Sequence, residues 1–202
     1  MAPFLYDSNE KKVTELTVSS SSGGFVGCLS SKYAFFGDKG GDVFVFHLEN
    51  LSEGPIHVEK TGTSGIKQVC CNESHDLLVS SNDRCIRLYS VNNSNPPTMI
   101  SKLKLKDLVN RFHWSTVTFS GDNEYVVAGT QSKEKHNVYI WDKCSGNLLK
   151  ILEGPSEGLK DLSVKSNLTQ VFKYVFYILL VASFSAHVCI HFFIWEYLRL
   201  DQ

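Results

Sequence analysis

Short runs of β-branched and aromatic residues, bounded by turn-forming residues, recur through most of the chain. These runs predict antiparallel hairpins, because none is long enough for a helix and Gly, Asp, Asn or Ser separates the members of each pair. The three predicted hairpins join residues 33–36 with 42–48, 76–80 with 85–91, and 124–129 with 137–141.

The hairpins belong to a repeat. VFVFH, IRLYS and VYIWD each end a strand with an aromatic residue, namely Phe46, Tyr89 and Trp141, followed by a polar one. The interval from Phe46 to Tyr89 matches the roughly 40 to 45 residues of a four-stranded propeller blade. Adding outer strands (56–58, 99–103, 148–152) and innermost strands (66–71, 116–119) completes about three blades. The predicted fold class is all-β, a partial WD40 β-propeller.

Blades stack face to face, so alternate positions along their strands should be buried between sheets. The residues expected there are Phe36, Val45, Leu78, Leu88, Val127, Ile140 and Leu149. A closed propeller has roughly 4 to 8 blades. We therefore expect either a larger parent protein or two uncovered blade faces.

The last part of the chain follows another pattern. Residues 174–195 contain no Asp, Glu, Lys or Arg and have aromatic residues at both ends. This length of apolar sequence predicts a membrane-spanning helix that leaves the preceding part cytoplasmic. Because the strand pattern stops abruptly in mid-blade, we favour translation past a splice boundary as the origin of this segment. The alternatives that hydropathy leaves open are a buried core helix and a real anchor, which would make the chain a tail-anchored single-pass membrane protein with a cytosolic WD40-like interaction module. The predicted organisation is an N-terminal, partly disordered extension (1–29), a partial propeller (30–165) and an apolar C-terminal tail (166–202).

Composition restricts the function only weakly. The 202 residues are 43% hydrophobic, as a folded domain requires, and the net charge of -1 predicts neither a nucleic-acid nor an acidic partner. The six cysteines lack a C-x-x-C pair and the chain begins without a signal peptide, which favours reduced thiols.

No catalytic or cofactor-binding constellation is recognised. His187 and His191 have the i, i+4 spacing of a metal site, but the first is followed by Val188 rather than the Glu of a metalloprotease. Gly40 and Gly41 predict a β-turn, since no Gly-Lys-Ser/Thr ending follows them. We therefore expect no catalytic activity, no cofactor and no metal site.

Longer motifs carry a resemblance to a known family. FSGDNEYVVAG (119–129) and VYIWD resemble the WD40 signature, and with DLVNRFHW (107–114) and GNLLKILEGP (146–155) they resemble the retinoblastoma-binding-protein subunit of COMPASS-type histone methyltransferase complexes. The likeness is strong over 104–162 and continues more weakly back to about residue 30. The WD40 resemblance gives structural roles to Asp83, Tyr89, Trp141 and Asp142.

The resemblance implies a nuclear, non-catalytic scaffold that helps a SET-domain partner methylate histone H3 at lysine 4. Its expected partners are the protein subunits of that complex, without direct nucleic-acid contact. The candidate partner-binding residues, on the loops and rims of the blades, are Arg84, Arg87, Arg111 and His113. The chain departs from the family at both ends, since the opening blades and the closing blade expected after Leu162 are absent. We therefore expect a form of the subunit truncated at both ends.

Overall fold

A computed structural model describes residues 2–20, 22–62, 64–92, 94, 97–131, 137–153, 159–166, 175–183 and 189–197. The chain divides into two compact units, unit 1 (Met1–Lys106) and unit 2 (Asp107–Gln202). Every regular element described is a β-strand, apart from one short 3₁₀ helix at Leu48–Glu53. The all-β class predicted from the sequence is therefore confirmed.

Unit 1 begins with an antiparallel hairpin of β1 (Phe4–Asp7) and β2 (Lys12–Glu15), in which Tyr6 lies opposite Val13. The Asp7 carboxylate accepts hydrogen bonds from the backbone N–H groups of Asn9 (2.8 Å) and Glu10 (3.1 Å), which fixes the turn. The segment assigned from the sequence to a partly disordered extension thus contains regular strands.

Blade 1 is a four-stranded antiparallel sheet of consecutive strands. It consists of β3 (Phe25–Leu29), β4 (Tyr33–Asp38), β5 (Asp42–His47) and β6 (His57–Lys60). The predicted 33–36 and 42–48 hairpin is present, and the blade starts at Phe25 rather than at residue 30. Gly41 occupies the predicted turn with φ 94°, where an added Cβ would approach the Gly62 carbonyl oxygen to 2.6 Å. Only glycine fits that turn without strain.

Blade 2 completes unit 1 and repeats the same order. Its strands are β7 (Ile66–Cys71), β8 (Asp76–Ser81), β9 (Ile86–Val91) and β10 (Met99–Leu105). One apolar core lies between blades 1 and 2 and includes Phe35, Val45, Leu77 and Tyr89. A second core on the opposite face of blade 1 joins Phe36, Phe44 and Phe46 to residues of the N-terminal hairpin region, including Leu5 and Leu16. Blade 1 is therefore covered on both faces within unit 1.

Unit 2 contains blade 3 and a three-stranded sheet. Blade 3 consists of β11 (His113–Phe119), β12 (Tyr125–Gln131), β13 (Asn137–Asp142) and β14 (Leu148–Glu153). The other sheet consists of β15 (Leu159–Ser166), β16 (Val175–Ser183) and β17 (Cys189–Tyr197), and β15 runs beside β11 and β12. Three four-stranded blades thus match the predicted number.

Six of the seven predicted core positions are buried, and one is not. Phe36, Val45, Leu78, Leu88, Val127 and Ile140 are each at most 8% exposed, whereas Leu149 is 39% exposed. The prediction for Leu149 was wrong because β14 is the outer strand of blade 3, on which only Leu152 is buried. Ile140 pairs with Lys150 and Trp141 pairs with Leu148, so Leu149 has no partner in the register.

The predicted helix in the C-terminal tail was also wrong where the tail is described. Val175–Ser183 and Cys189–Tyr197 are strands of one sheet, paired from Val175 with Tyr197 to Ser183 with Cys189. An uninterrupted apolar run of nine residues fits a strand covered on both faces as well as it fits a helix, so periodicity could not distinguish them. Residue 174 and residues 184–188, which include His187, lie outside the described residues.

Among the described residues, no helix has both the length and the apolar content needed to cross a bilayer.

Candidate partner-binding surface

Asp83 organises the turn between β8 and β9. Its Oδ1 atom accepts hydrogen bonds from Ser81 Oγ (2.7 Å), the Cys85 N–H (3.2 Å) and an Arg87 guanidinium nitrogen (3.2 Å). Its Oδ2 atom forms a close ion pair with the other terminal nitrogen of Arg87. One carboxylate thus joins the turn to both strands.

The environment keeps Asp83 ionised. Partial burial acts to raise the pKa of this carboxyl, but hydrogen bonds from Arg87 and Ser81 outweigh burial and hold the pKa well below its usual range. The Arg87 side chain is only 11% exposed and its charge faces Asp83, so Arg87 lies in the interior of the blade rather than on the contact surface. Arg84 lies in the same turn, where it is exposed and has φ 66°.

Tyr89, the aromatic residue that ends the second repeat, is 3% exposed and belongs to the core between blades 1 and 2. Trp141, its counterpart in blade 3, is also 3% exposed and stacks on Tyr139 at a centroid distance of 5.5 Å. Trp114 packs edge to face against both rings, at 5.2 Å from Tyr139 and 5.4 Å from Trp141. The repeat aromatics are therefore packing residues, and the three rings form the aromatic cluster of blade 3.

Asp142 has a local role at the turn between β13 and β14. Its Oδ1 atom accepts hydrogen bonds from the Ser145 N–H (2.6 Å) and Ser145 Oγ (2.7 Å). These bonds lower the pKa of Asp142. Asp142 therefore fixes its own turn, whereas Asp83 ties a turn to a buried arginine on the adjacent strand.

The loop before β11 presents two apolar side chains to solvent. Leu108 is 72% exposed and Val109 is 86% exposed. In the described part of the chain, these are the two most exposed of the large hydrophobic side chains. Arg111 follows them, is exposed and has φ 51°. His113 begins β11 and is half-buried. We call residues 107–113 the apolar loop. It contains two of the four partner-binding residues predicted from the sequence.

Asp107 holds the apolar loop in place. Its Oδ1 atom accepts hydrogen bonds from the N–H groups of Val109 and Asn110, both at 2.8 Å. Its Oδ2 atom accepts a 2.6 Å hydrogen bond from the Tyr139 hydroxyl in the aromatic cluster. The loop conformation is thus anchored to blade 3 before any partner arrives.

The pKa values of this pair agree with the geometry. Burial raises the pKa of Tyr139 to about 12, with a further contribution from the Asp107 carboxylate. Although burial acts to raise the pKa of Asp107, the hydrogen bond from Tyr139 and those from the loop amides lower it overall. Near neutral pH the tyrosine therefore donates and the carboxylate accepts.

Sequence reasoning selected Arg111 and His113 as candidates but not the exposed Leu108 and Val109 in the same loop. The signal that could have indicated Leu108 and Val109 is the Asp-Leu-Val-Asn order. An aspartate whose side chain accepts hydrogen bonds from the following backbone N–H groups forms a turn that directs the chain outward. Arg84 and Arg87 belong to unit 1, and Arg111 and His113 to unit 2. In the part of the chain that the structure describes, no group of three or more His, Cys, Asp or Glu residues could hold a metal ion.

The chain is similar to known proteins over much of its length. It is 37% identical over 129 residues to retinoblastoma-binding-like protein E of Dictyostelium discoideum, a match covering 63% of this chain and 24% of that protein. COMPASS component SWD1 of Saccharomyces cerevisiae is 33% identical over 127 residues, covering 60% of this chain and 30% of that protein. Set1 complex component swd1 of Schizosaccharomyces pombe is 36% identical over 119 residues, with shares of 58% and 29%.

A solved structure supports the fold. The β-propeller domain of Cps50 (Swd1) from Myceliophteria thermophila matches with a TM-score of 0.71 at 24% identity, covering 89% of this chain and 60% of that one. No family model matches the chain. The chain thus spans less than a third of the length of the relatives named above. The similarity predicted from the sequence, to retinoblastoma-binding-protein subunits of COMPASS-type complexes, is confirmed over 58–65% of the chain.

Proposed function

We propose that this chain is a non-catalytic scaffold of a histone H3 lysine-4 methyltransferase complex. The premise is that its relatives are retinoblastoma-binding-protein and Swd1 subunits. The proposed role requires neither a cofactor nor a metal, and its place of action is the nucleus. The observation that carries the proposal is the 37% identity over 129 residues to a retinoblastoma-binding-like protein.

The fold supports a scaffold role. Blades 1, 2 and 3 are antiparallel sheets whose central strands are almost wholly buried, so their side chains serve packing. The turns and loops that join the strands remain outside this packing and can vary without disturbing it. A stable framework with surface loops is suited to the binding of protein partners.

We propose the apolar loop as a contact surface for the SET-domain partner. Leu108 and Val109 would transfer apolar surface from water to the partner, at roughly 25 cal/mol per Å² buried. Because Asp107 fixes the loop beforehand, little conformational entropy is lost on binding. Arg111 and His113 supply polar groups at the edge of that surface, as the rim of an interface requires.

Arg84 is proposed as a second contact residue, on the turn of blade 2. Its exposed position allows it to reach a partner. Arg87 is not retained as a contact residue, because its side chain is largely buried and its charge is paired with Asp83.

Reconstitution tests the proposal. The purified chain is mixed with a COMPASS-type catalytic core that lacks its own retinoblastoma-binding subunit, and binding and histone H3 lysine-4 methylation are measured together. We expect the chain to bind the core and to show no methylation activity alone. Methylation by the chain without the SET-domain subunit, or no binding to the core at micromolar concentration, would contradict the proposal.

A further inference from the structure

Two cysteines lie on the neighbouring first strands of blades 1 and 2. Cys28 lies on β3 and Cys71 on β7, two strands that run side by side. Both side chains pack against the apolar core that the two blades share. Cys71 Sγ is 3.1 Å from the carbonyl oxygen of Leu29, the residue next to Cys28. The two cysteines are distant in sequence and adjacent in the fold.

The two thiols also differ in acidity. A hydrogen bond between the two side chains lowers the pKa of Cys71 and, together with burial, raises the pKa of Cys28. The thiolate is the reactive form of cysteine, so Cys71 is the better nucleophile of the pair. Both side chains are half-buried, which leaves a small oxidant a route to the sulfur.

We infer that Cys71 and Cys28 form a peroxide-responsive pair that closes into a disulfide between blades 1 and 2. Cys71 attacks one oxygen of hydrogen peroxide, the O–O bond breaks, and the products are a sulfenic acid on Cys71 and water. The Cys28 sulfur then attacks the sulfenic sulfur, the S–O bond breaks, and a second water leaves. The two thiols lose two electrons in total, and the peroxide gains them.

The other cysteines whose side chains the structure describes differ from this pair. Cys70 is adjacent to Cys71 on β7 and therefore points to the other face of the strand. Burial raises the pKa of Cys85, which makes that thiol less reactive. Cys144 is exposed on the turn of blade 3 and serves as an internal reference for oxidant exposure.

Mass spectrometry under non-reducing conditions tests the pair. The full chain is treated with hydrogen peroxide, alkylated, and digested with trypsin, which places Cys28 in peptide 13–32 and both Cys70 and Cys71 in peptide 68–84. We expect a linkage of these two peptides that dithiothreitol reverses. Cys70→Ser should keep the linkage, whereas Cys71→Ser and Cys28→Ser should abolish it.

Two further measurements fix the order of the steps and the consequence. In Cys28→Ser, dimedone should label Cys71, because the sulfenic acid has no second thiol to react with. In wild-type protein, oxidation should raise the urea concentration at half-unfolding, and dithiothreitol should reverse the shift, since the bond constrains the unfolded chain. Cys70→Ser should show the same reversible shift.

Three results would overturn the inference. The first is oxidation of Cys144 without any linkage between peptides 13–32 and 68–84. The second is a linkage that survives in Cys71→Ser, which would assign the bond to Cys70. The third is dimedone labelling of Cys28 in Cys71→Ser together with no labelling of Cys71 in Cys28→Ser. Circular dichroism of each variant establishes that it retains its β-sheet signal, and a variant that loses it is replaced by Cys→Ala at the same position.

Discussion

The hydroxyl of Tyr139 donates a 2.6 Å hydrogen bond to Oδ2 of Asp107, which joins the start of the apolar loop to the aromatic cluster of blade 3. Tyr139 is 1% exposed, whereas the neighbouring Leu108 is 72% exposed. The exposed part of the loop is thus anchored by one of the most buried side chains in unit 2. This contact links the packing of the blade to the surface proposed to bind a partner.

Tyr139→Phe should destabilise the chain by about 1.5–3 kcal/mol, since it removes a hydrogen bond to a charged group and leaves the ring in place. Urea unfolding followed by tryptophan fluorescence measures this change. Tyr6→Phe is the matched control, because Tyr6 is 58% exposed. Equal stability of the two variants would show that the contact with Asp107 contributes nothing.

The Asp83 and Arg87 pair should show a coupling energy of roughly 1–3 kcal/mol in a double-mutant cycle with Asp83→Ala and Arg87→Leu. Removing Asp83 alone leaves the guanidinium of the largely buried Arg87 without its carboxylate. Asp83→Ala should therefore be the least stable of the four proteins. Urea midpoints of the four proteins give the coupling energy. Glu49→Ala is the control, since the Glu49 side chain is 85% exposed. Additive effects of the two substitutions would refute the coupling.

Stability should fall in acid as Asp83 is protonated. The pKa of Asp83 in the folded state is lower than its unfolded value of 3.8. The carboxylate therefore stabilises the fold above that unfolded value, and the contribution is lost as the pH falls toward the folded pKa. We expect the difference in urea midpoint between wild type and Asp83→Asn to be largest at neutral pH and smaller at about pH 3. A difference independent of pH would contradict the ionised state of Asp83.

Two leucines on β14 should respond differently to truncation. Leu152 is 7% exposed and Leu149 is 39% exposed. Leu152→Ala should cost about 2–3 kcal/mol through lost packing and a cavity, whereas Leu149→Ala should cost less than about 1 kcal/mol. Thermal or urea unfolding of both variants measures the contrast. The reverse order would contradict the burial of Leu152 and the exposure of Leu149.

The strands and the number of blades could be predicted because their signals are local. The 76–80 and 85–91 hairpin, for example, has β-branched and aromatic runs on either side of a turn that contains Asp83, and the structure has strands Asp76–Ser81 and Ile86–Val91 there. Leu149 could not be predicted in the same way. Its exposure depends on the position of β14 at the outer edge of blade 3, which alternation along one strand does not contain.

The errors in the tail and in the site also have physical causes. An apolar run such as 175–183 satisfies the length and composition of either a helix or a central strand, and only its neighbours β15 and β17 decide between them. At the candidate site, Arg111 could be selected by its charge, but the exposure of Leu108 and Val109 depends on the contact of Asp107 with Tyr139. That contact joins positions far apart in the sequence.

We propose that this chain binds a SET-domain methyltransferase core through the apolar loop. The most direct measurement is the dissociation constant for the reconstituted core of wild type, of the double variant Leu108→Asp and Val109→Asp, and of Leu148→Asp. Leu148 is a matched control because it is an exposed apolar residue of the same unit, 46% exposed and outside the loop. We predict that the double variant binds at least about tenfold more weakly, a loss of about 1.4 kcal/mol, while Leu148→Asp binds like wild type. Equal affinity of all three proteins would contradict binding through the apolar loop.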